Sequence, residues 1–370
     1  MLNEKKWIWE YDSYPNFSYD SEKLQPLLQE IKYYQGLLNG IFTTVNDEDL
    51  YHTQLEIMTQ EIMDSSAIEG EVLSRDSVRS SISNQLGINR EKQDYSTRTS
   101  DGVTELLVDA VYNFDKPLTE ERLLGWHNAL FPHEVKRMID IRIAEYREEE
   151  MEIVSGRIGK ERVHYVAPSA KVLKKEMDKF LEWLNGSEES IIKAGIAHLW
   201  FVVIHPFDDG NGRIARSIGN YALSKEANAP IKLYSMSSMI WQDRRGYYDI
   251  LEATTSGSTE ITPWLEWFLE TLLKSLKEAR KNIQFILQKT AFWDRHRTTS
   301  LNEREIKVLN RLFRVGEGNF EGGINTKKYA SLTKVSKNTA SRELKGLVEK
   351  GCLKQVEGTA GRNIRYELKI

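Results

Sequence analysis

Twelve residues, 205–216 (HPFDDGNGRIAR), constrain this 370-residue chain more than any other stretch. Upstream, residues 194–204 (AGIAHLWFVVI) are apolar nearly all round, as in a buried helix. Pro206 lacks an N–H and disfavours helical geometry at His205, so that helix is expected to stop there. Residues 213–222 then resume a helical pattern, giving helix, tight loop, helix. Gly210, Asn211 and Gly212 fall where the second helix starts, and both residue types tolerate positive φ. Consecutive amides there, at the positive end of a helix, form a nest for an anion.

The side chains around that nest suit a nucleotide phosphate. His205, at the loop mouth, is a candidate general base, since an imidazole titrates near about 6.5. Asp209, an acid beside the nest, is a candidate Mg2+ ligand. Arg213 and Arg216, three apart on one helical face, are candidates to grip a polyphosphate. Phe207 is expected to pin the loop into the core. A buried helix end with a capping aspartate and surface arginines accounts for any one of these residues, but not for all of them at this spacing.

The stretch fits HPFx[D/E]GNGRxxR at every defined position and so resembles the signature of the Fic family, whose members are mostly adenylyltransferases. The resemblance runs roughly from residue 98 to 281. It implies a mainly α-helical fold, with a Fic core and a small β-hairpin flap over the active site. It also implies transfer of AMP from Mg2+-bound ATP to a Ser, Thr or Tyr hydroxyl of a target protein, with scope for auto-modification and for homo-oligomers. His205 then resembles the base, Asp209 the metal ligand, Gly210, Asn211 and Gly212 the phosphate cradle, and Arg213 and Arg216 the grip on the distal phosphates. Two rivals remain: the same site removing AMP, with Glu69 positioning a water, and a DNA-binding regulator whose core only senses nucleotide.

A second motif lies upstream. In SSAIEGE (residues 65–71), Ser65, Glu69 and Gly70 match [S/T]xxxE[G/N] and resemble the inhibitory motif of regulated Fic proteins. A carboxylate near a helix end can insert against Arg216 and remove a phosphate clamp. The alternative is a surface glutamate followed by a C-cap glycine. Glu71, two residues on, is expected to face elsewhere and to leave the site unaffected.

Composition bounds the remainder. A chain of this length suggests two or three domains: an N-terminal arm and inhibitory-helix region (1–97), a Fic catalytic core (98–285) and a C-terminal unit (300–370). The single cysteine, Cys352, rules out an internal disulfide and a cysteine-based metal site. With no basic-then-apolar leader and no apolar run near about 20 residues, a cytoplasmic protein that does not meet a membrane is expected.

The first 46 residues carry six aromatics between Trp7 and Tyr19, expected to dock an arm onto the body before a helix over 21–38. Residues 47–87 read as two helices broken near Gly70, and 88–99 as a polar linker. Helices follow at 101–114 and 119–130. AEYR (144–147) resembles a GxYR segment, with alanine for glycine. Residues 152–166 form the expected hairpin, with His164 as decoration only. A helix spans 171–184, and His198 is expected to be a core histidine. Beyond the motif, 231–236 is expected to be extended, 243–253 helical and 262–285 a long helix. Tyr247 and Tyr248 resemble a tyrosine pair near the nucleotide base, although core packing accounts for them nearly as well.

Residues 301–370 hold 15 Lys and Arg against 8 Asp and Glu, a basic surplus in a chain of net charge −4. Helices at 302–313, 325–333 and 336–350, then strands at 353–357 and 362–368, resemble a winged helix-turn-helix. Lys337, Asn338, Arg342 and Lys345 would lie on its recognition helix, making DNA a candidate partner.

Overall fold

The computed structural model describes residues 6–42, 47–87, 93–132, 141–156, 161–186, 188–230, 233–319 and 323–370. These fall into two compact units, one ending at Ala279 and the other beginning at Arg280, within a single long helix. Among the described residues no helix is long and apolar enough to cross a membrane.

The first unit opens with the arm, a short 3-10 turn at Ile8–Glu10, and then α1 (Ser21–Phe42) and α2 (Asp47–Ile68). Next come α3 (Arg75–Gln85), α4 (Arg98–Tyr112) and α5 (Glu120–Leu130). α4 starts three residues earlier than its apolar pattern predicts. Thr97 caps it by accepting from Ser100 N, and the Ser100 hydroxyl answers at Thr97 N. A hairpin of β1 (Glu152–Ser155) and β2 (Arg162–Val166) comes after α5, antiparallel, with a register shift between Ile153 and Val154. Its turn, including Gly159, lies outside the described residues.

The centre of the unit is the pair α7 (Ile191–Ile204) and α8 (Asn211–Ala227), with α6 (Leu173–Gly186) against α7 and α4 against α8. α7 is buried from Ile191 to Ile204 at every position but Ile196, as an all-round apolar helix must be. His198 is in the core, 2% exposed, and meets the Tyr247 hydroxyl at 2.9 Å. Residues 231–232 of the expected extended stretch lie outside the described residues. Its remainder leads directly into α9 (Met236–Gln242), capped by Ser235. α10 (Arg244–Thr255) and α11 (Thr262–Arg295) as far as Ala279 complete the unit, α11 running ten residues past its expected end.

The second unit holds α12 (Glu303–Asn319), α13 (Thr326–Thr333) and α14 (Lys337–Glu349), then β3 (Leu353–Gln355) antiparallel to β4 (Tyr366–Leu368). The second strand is shorter than its sequence pattern predicts, because Gly361–Asn363 forms a 3-10 turn. Ile324 forms an isolated antiparallel bridge to Tyr366 of β4. The unit has its own core, built from Val308, Leu309, Phe313, Leu344 and Leu347 with Cys352. Lys337, Asn338, Arg342 and Lys345 are all exposed on α14, opposite buried Ala340, Leu344 and Leu347.

Candidate functional site: a loop between two buried helices, closed by an acidic turn

The α7–α8 loop is shaped by two left-handed residues. His205 ends α7 at φ 50°, its amide bonded to Phe201 O, and Gly210 precedes α8 at φ 83°. Glycine at 210 also leaves room for the Phe131 ring, which a Cβ there would meet at 2.9 Å. Positive φ is confined to Gly210 within the expected trio; Asn211 and Gly212 are already helical. The Asn211 side chain closes the loop on itself, accepting from Phe207 N at 3.0 Å and donating to Phe207 O at 2.7 Å. The first rung of α8 is Ile214 N to Gly210 O, so the amides of Asn211, Gly212 and Arg213 precede its ladder and point out of the helix start.

Two residues that sequence reasoning missed hold this loop in place. Arg147, 2% exposed, donates through Nε to His205 O and through Nη1 to Glu149 O, while its own amide bonds Pro206 O. The Tyr-Arg of AEYR is the signal that could have found it. Ala144 adopts φ 57°, where glycine is the easier residue, and its amide donates to His127 Nδ1 at 3.0 Å. That fixes the proton on His127 Nε2, which donates to Asp209 O at 3.2 Å. His127 also stacks on Phe207, ring centroids 4.1 Å apart, so Phe207 is pinned as expected.

His205 Nδ1 lies 3.3 Å from Val202 O and, facing a carbonyl, must carry the proton there. Nε2 is then the lone-pair nitrogen, the tautomer a base requires. Burial lowers the His205 pKa to about 4, so the ring is neutral at pH 7. The Asp209 residue is exposed, its carboxylate accepting from Gly210 N at 2.6 Å, while Asp208 is held by Arg142 N at 2.9 Å. Among the described residues no three His, Cys, Asp or Glu side chains cluster to hold a metal. A single carboxylate suits Mg2+, which keeps several waters and takes substrate phosphates as ligands.

Arg213 and Arg216 are both 4% exposed. α2 ends opposite them in a Schellman turn: Glu71 N bonds Ser66 O, Gly70 N bonds Ala67 O, and Gly70 takes φ 85°. The C-cap glycine and the arginine-facing glutamate are therefore one device. Arg216 donates through Nε to Ser65 Oγ at 2.9 Å and through Nη2 to Ser65 O at 2.9 Å, and Nη2 stands 2.9 Å from Glu69 Oε1. Burial alone would raise the Glu69 pKa, but Arg216 outweighs that and holds the carboxyl below the usual range. Gly212 makes the approach feasible, since a Cβ there would meet Glu69 Oε1 at 2.1 Å.

Glu71 does not face away. Its carboxylate pairs with Arg213 Nη1 at 2.6 Å, because the left-handed residue at Gly70 swings the chain back across α8. A helical extrapolation past residue 68 could not foresee this. Arg213 Nε and Arg216 Nη1 are buried with no hydrogen-bond partner among the described residues. Unpaired guanidinium donors beside a helix start fit a phosphate. Of the tyrosine pair, Tyr247 is 1% exposed and stacks on Trp267, while Tyr248 is 40% exposed with its hydroxyl 3.4 Å from Glu69 Oε2. His164 is more than decoration: Nδ1 meets Glu252 Oε2 at 2.6 Å and Nε2 meets Ser155 Oγ at 2.6 Å.

Residues 117–223 match the Fic/DOC family model, and residues 7–88 match a domain of unknown function (DUF4172). The protein adenylyltransferase Fic of Nematostella vectensis is 33% identical over 107 residues, covering 28% of this chain and 23% of that protein. Its Culex quinquefasciatus counterpart is 25% identical over 236 residues, covering 62% of this chain and 43% of that protein. The chain thus spans less than half the length of these relatives. A Fic family protein from Desulfovibrio desulfuricans has a similar structure, with TM-score 0.55, 21% identity and coverage of 94% of this chain and 96% of that one. A Fic domain containing signaling protein from Bacteroides thetaiotaomicron gives TM-score 0.51, 19% identity, and coverage of 69% and 97%. The molecule has a mainly helical Fic fold with a β-hairpin flap and a small C-terminal β-hairpin, and its sequence is distantly similar to Fic adenylyltransferases.

The buried histidines set an acid limit on stability. The pKa of His198 falls to about 3 through burial, followed by repulsion from Arg216. An unfolded histidine binds a proton below about 6.5 and the folded one does not, so this contribution is complete above 6.5 and is lost as pH falls toward 3. Denaturant unfolding of His198→Gln, measured from pH 6.5 to 4.5, is expected to vary with pH less steeply than wild type, by about 1.4 kcal/mol per pH unit. Parallel curves would remove His198 from the acid response.

Proposed function

We propose that this protein is an adenylyltransferase that moves AMP from Mg2+-bound ATP to a hydroxyl of a target protein, and that the turn after α2 restrains it. The observation that carries the reading is the pairing of both motif arginines with acids of one turn, Glu69 with Arg216 and Glu71 with Arg213. The target oxygen forms a bond to the α-phosphorus, the bond to the β-phosphate oxygen breaks, and pyrophosphate leaves. His205 Nε2 takes the hydroxyl proton. The amides of Asn211, Gly212 and Arg213 receive phosphate oxygens, and Arg213 and Arg216 hold the distal phosphates. Asp209 would hold Mg2+, which supplies charge neutralisation along the polyphosphate. The flap aligns the target's backbone, and its cross-strand pair Val154 and Val163, exposed at 47% and 37%, offers apolar contact to an extended segment.

With Glu69 on Arg216 the γ-phosphate lacks its clamp, and with Glu71 on Arg213 the second clamp is occupied as well. Glu69→Gly is expected to raise AMP incorporation from α-labelled ATP about 100-fold, corresponding to a bias of about 3 kcal/mol in the resting state. Glu71→Gln should raise it by a smaller factor. His205→Ala should lose about 10²–10⁴-fold and Asp209→Ala should abolish Mg2+-dependent transfer, while Asp208→Ala should change little. If folded Glu69→Gly incorporates no more than wild type, the restraint is wrong. AMP release from a modified protein, without incorporation, would mean that the site works in reverse.

A second reading concerns the C-terminal unit. Asn338, Arg342 and Lys345 recur at i, i+4 and i+7 on the exposed face of α14, with Lys337 at its start. That basic face is the chemistry of a duplex-DNA contact. Binding to a mixed-sequence duplex should weaken steeply between about 50 and 200 mM salt, in the manner of counterion release at about this many phosphates, and Arg342→Ala should flatten the salt slope by about 1. No binding at about 50 mM salt would exclude the interface.

A further inference from the structure

The N-terminal arm belongs to the segment whose matching family has no known function. It contributes no residue to the loop between α7 and α8, yet its side chains end on the flap. The turn at Ile8–Glu10 is closed by its own sequence: the Glu10 carboxylate accepts from Lys6 N at 2.6 Å and from Trp7 N at 2.9 Å. Ile8 is fully buried and anchors the turn. The two indoles flanking Ile8 are thereby presented in a fixed direction. The Trp9 indole N–H donates to Val166 O at 2.8 Å, at the last residue of β2. Trp7, 6% exposed, meets the Tyr165 ring edge-on with centroids 5.5 Å apart.

Tyr165 is the joint between arm, flap and catalytic loop. Its ring packs on Trp7, and its hydroxyl donates to Val203 O at 2.6 Å, two residues before His205. Farther along, the arm is tied to α7 itself: the Trp200 indole donates to the Tyr14 hydroxyl at 2.9 Å, and Phe17 meets the same indole edge-on. Ser18 completes the tie by pairing with Thr259 O and Ile261 N at the start of α11. A hairpin of four- and five-residue strands does not hold a position alone. Glu252 on α10 holds its middle through Arg162 and His164, while the arm holds its base.

We propose that the arm is a positioning element for the flap, with Trp7 and Trp9 fixing the base of β2 relative to α7 and so setting the flap's register over His205. This deepens the transferase reading by giving the N-terminal segment a part in presenting the target, and it rests on that reading only for the flap's purpose. The flap's occupant is an extended protein segment, held by main-chain hydrogen bonds at its edge.

The test is Trp9→Phe in the full chain, which keeps an aromatic ring while removing the indole N–H and part of the indole's packing surface. Hydrogen–deuterium exchange should quicken about five- to tenfold at the amides of residues 152–155 and 162–166, as expected for one lost hydrogen bond. Exchange in α7 and α8 should rise less than in the flap, the midpoint of thermal unfolding should fall by no more than about 2–4 °C, and the calorimetric affinity for Mg2+-bound ATP should stay at the wild-type value, while AMP incorporation into protein falls. Unchanged flap exchange would overturn the proposal. Exchange raised equally across α7 and α8 would make the arm a general stabiliser and would also overturn it, as would a loss of Mg2+-bound ATP affinity. A wild-type chain that transfers no AMP would count against the transferase reading alone, since the exchange pattern is read without activity.

Discussion

Arg216 is the side chain on which the site turns. A guanidinium that is 4% exposed must find acceptors, and here they come from one turn of α2: the Ser65 hydroxyl, the Ser65 carbonyl and the Glu69 carboxylate. Removing one partner from such a pair leaves a buried charge uncompensated, which explains why the turn sits firmly against α8. Among the described residues one guanidinium nitrogen has no partner, so the arrangement satisfies Arg216 only in part. A polyphosphate brings more acceptors than the turn does, and competition between the two is the physical basis of the proposed restraint.

The remainder of the unit serves to hold this contest in place. α2 is tied to α8 and α9 by Glu61, 2% exposed, which accepts from Asn220, Ser235 and Ser237. With that anchor one turn upstream of Ser65, release of Arg216 requires movement of the turn rather than of the helix. On the other side, Arg147 and His127 bind the backbone of His205 and Asp209.

Much of this was legible in the sequence because the chemistry is local. The proline after His205 and Gly210 announce the two turns of the loop, and the apolar run before them announces α7. Ser65 and Glu69, four apart, announce one helical face. What escaped depends on non-helical backbone or on distant packing. Glu71 reaches Arg213 only because Gly70 is left-handed, and helical periodicity carries no information beyond that residue. Tyr247 and Tyr248 are adjacent in sequence but differ in setting, one in the core beside Trp267 and one exposed with its hydroxyl near Glu69. The arm's aromatics were recognisable as docking residues, but that they dock on the flap depends on contacts between residues 157 positions apart in the chain.

In the proposed restraint Glu69 competes with the distal phosphates and with no other part of the nucleotide. Isothermal titration of wild type and Glu69→Gly with Mg2+-bound ATP and with AMP tests it most directly. Affinity for ATP should rise about 100-fold in the variant, while affinity for AMP, which has no distal phosphate, should not change. An equal gain for AMP, or none for ATP, would contradict it.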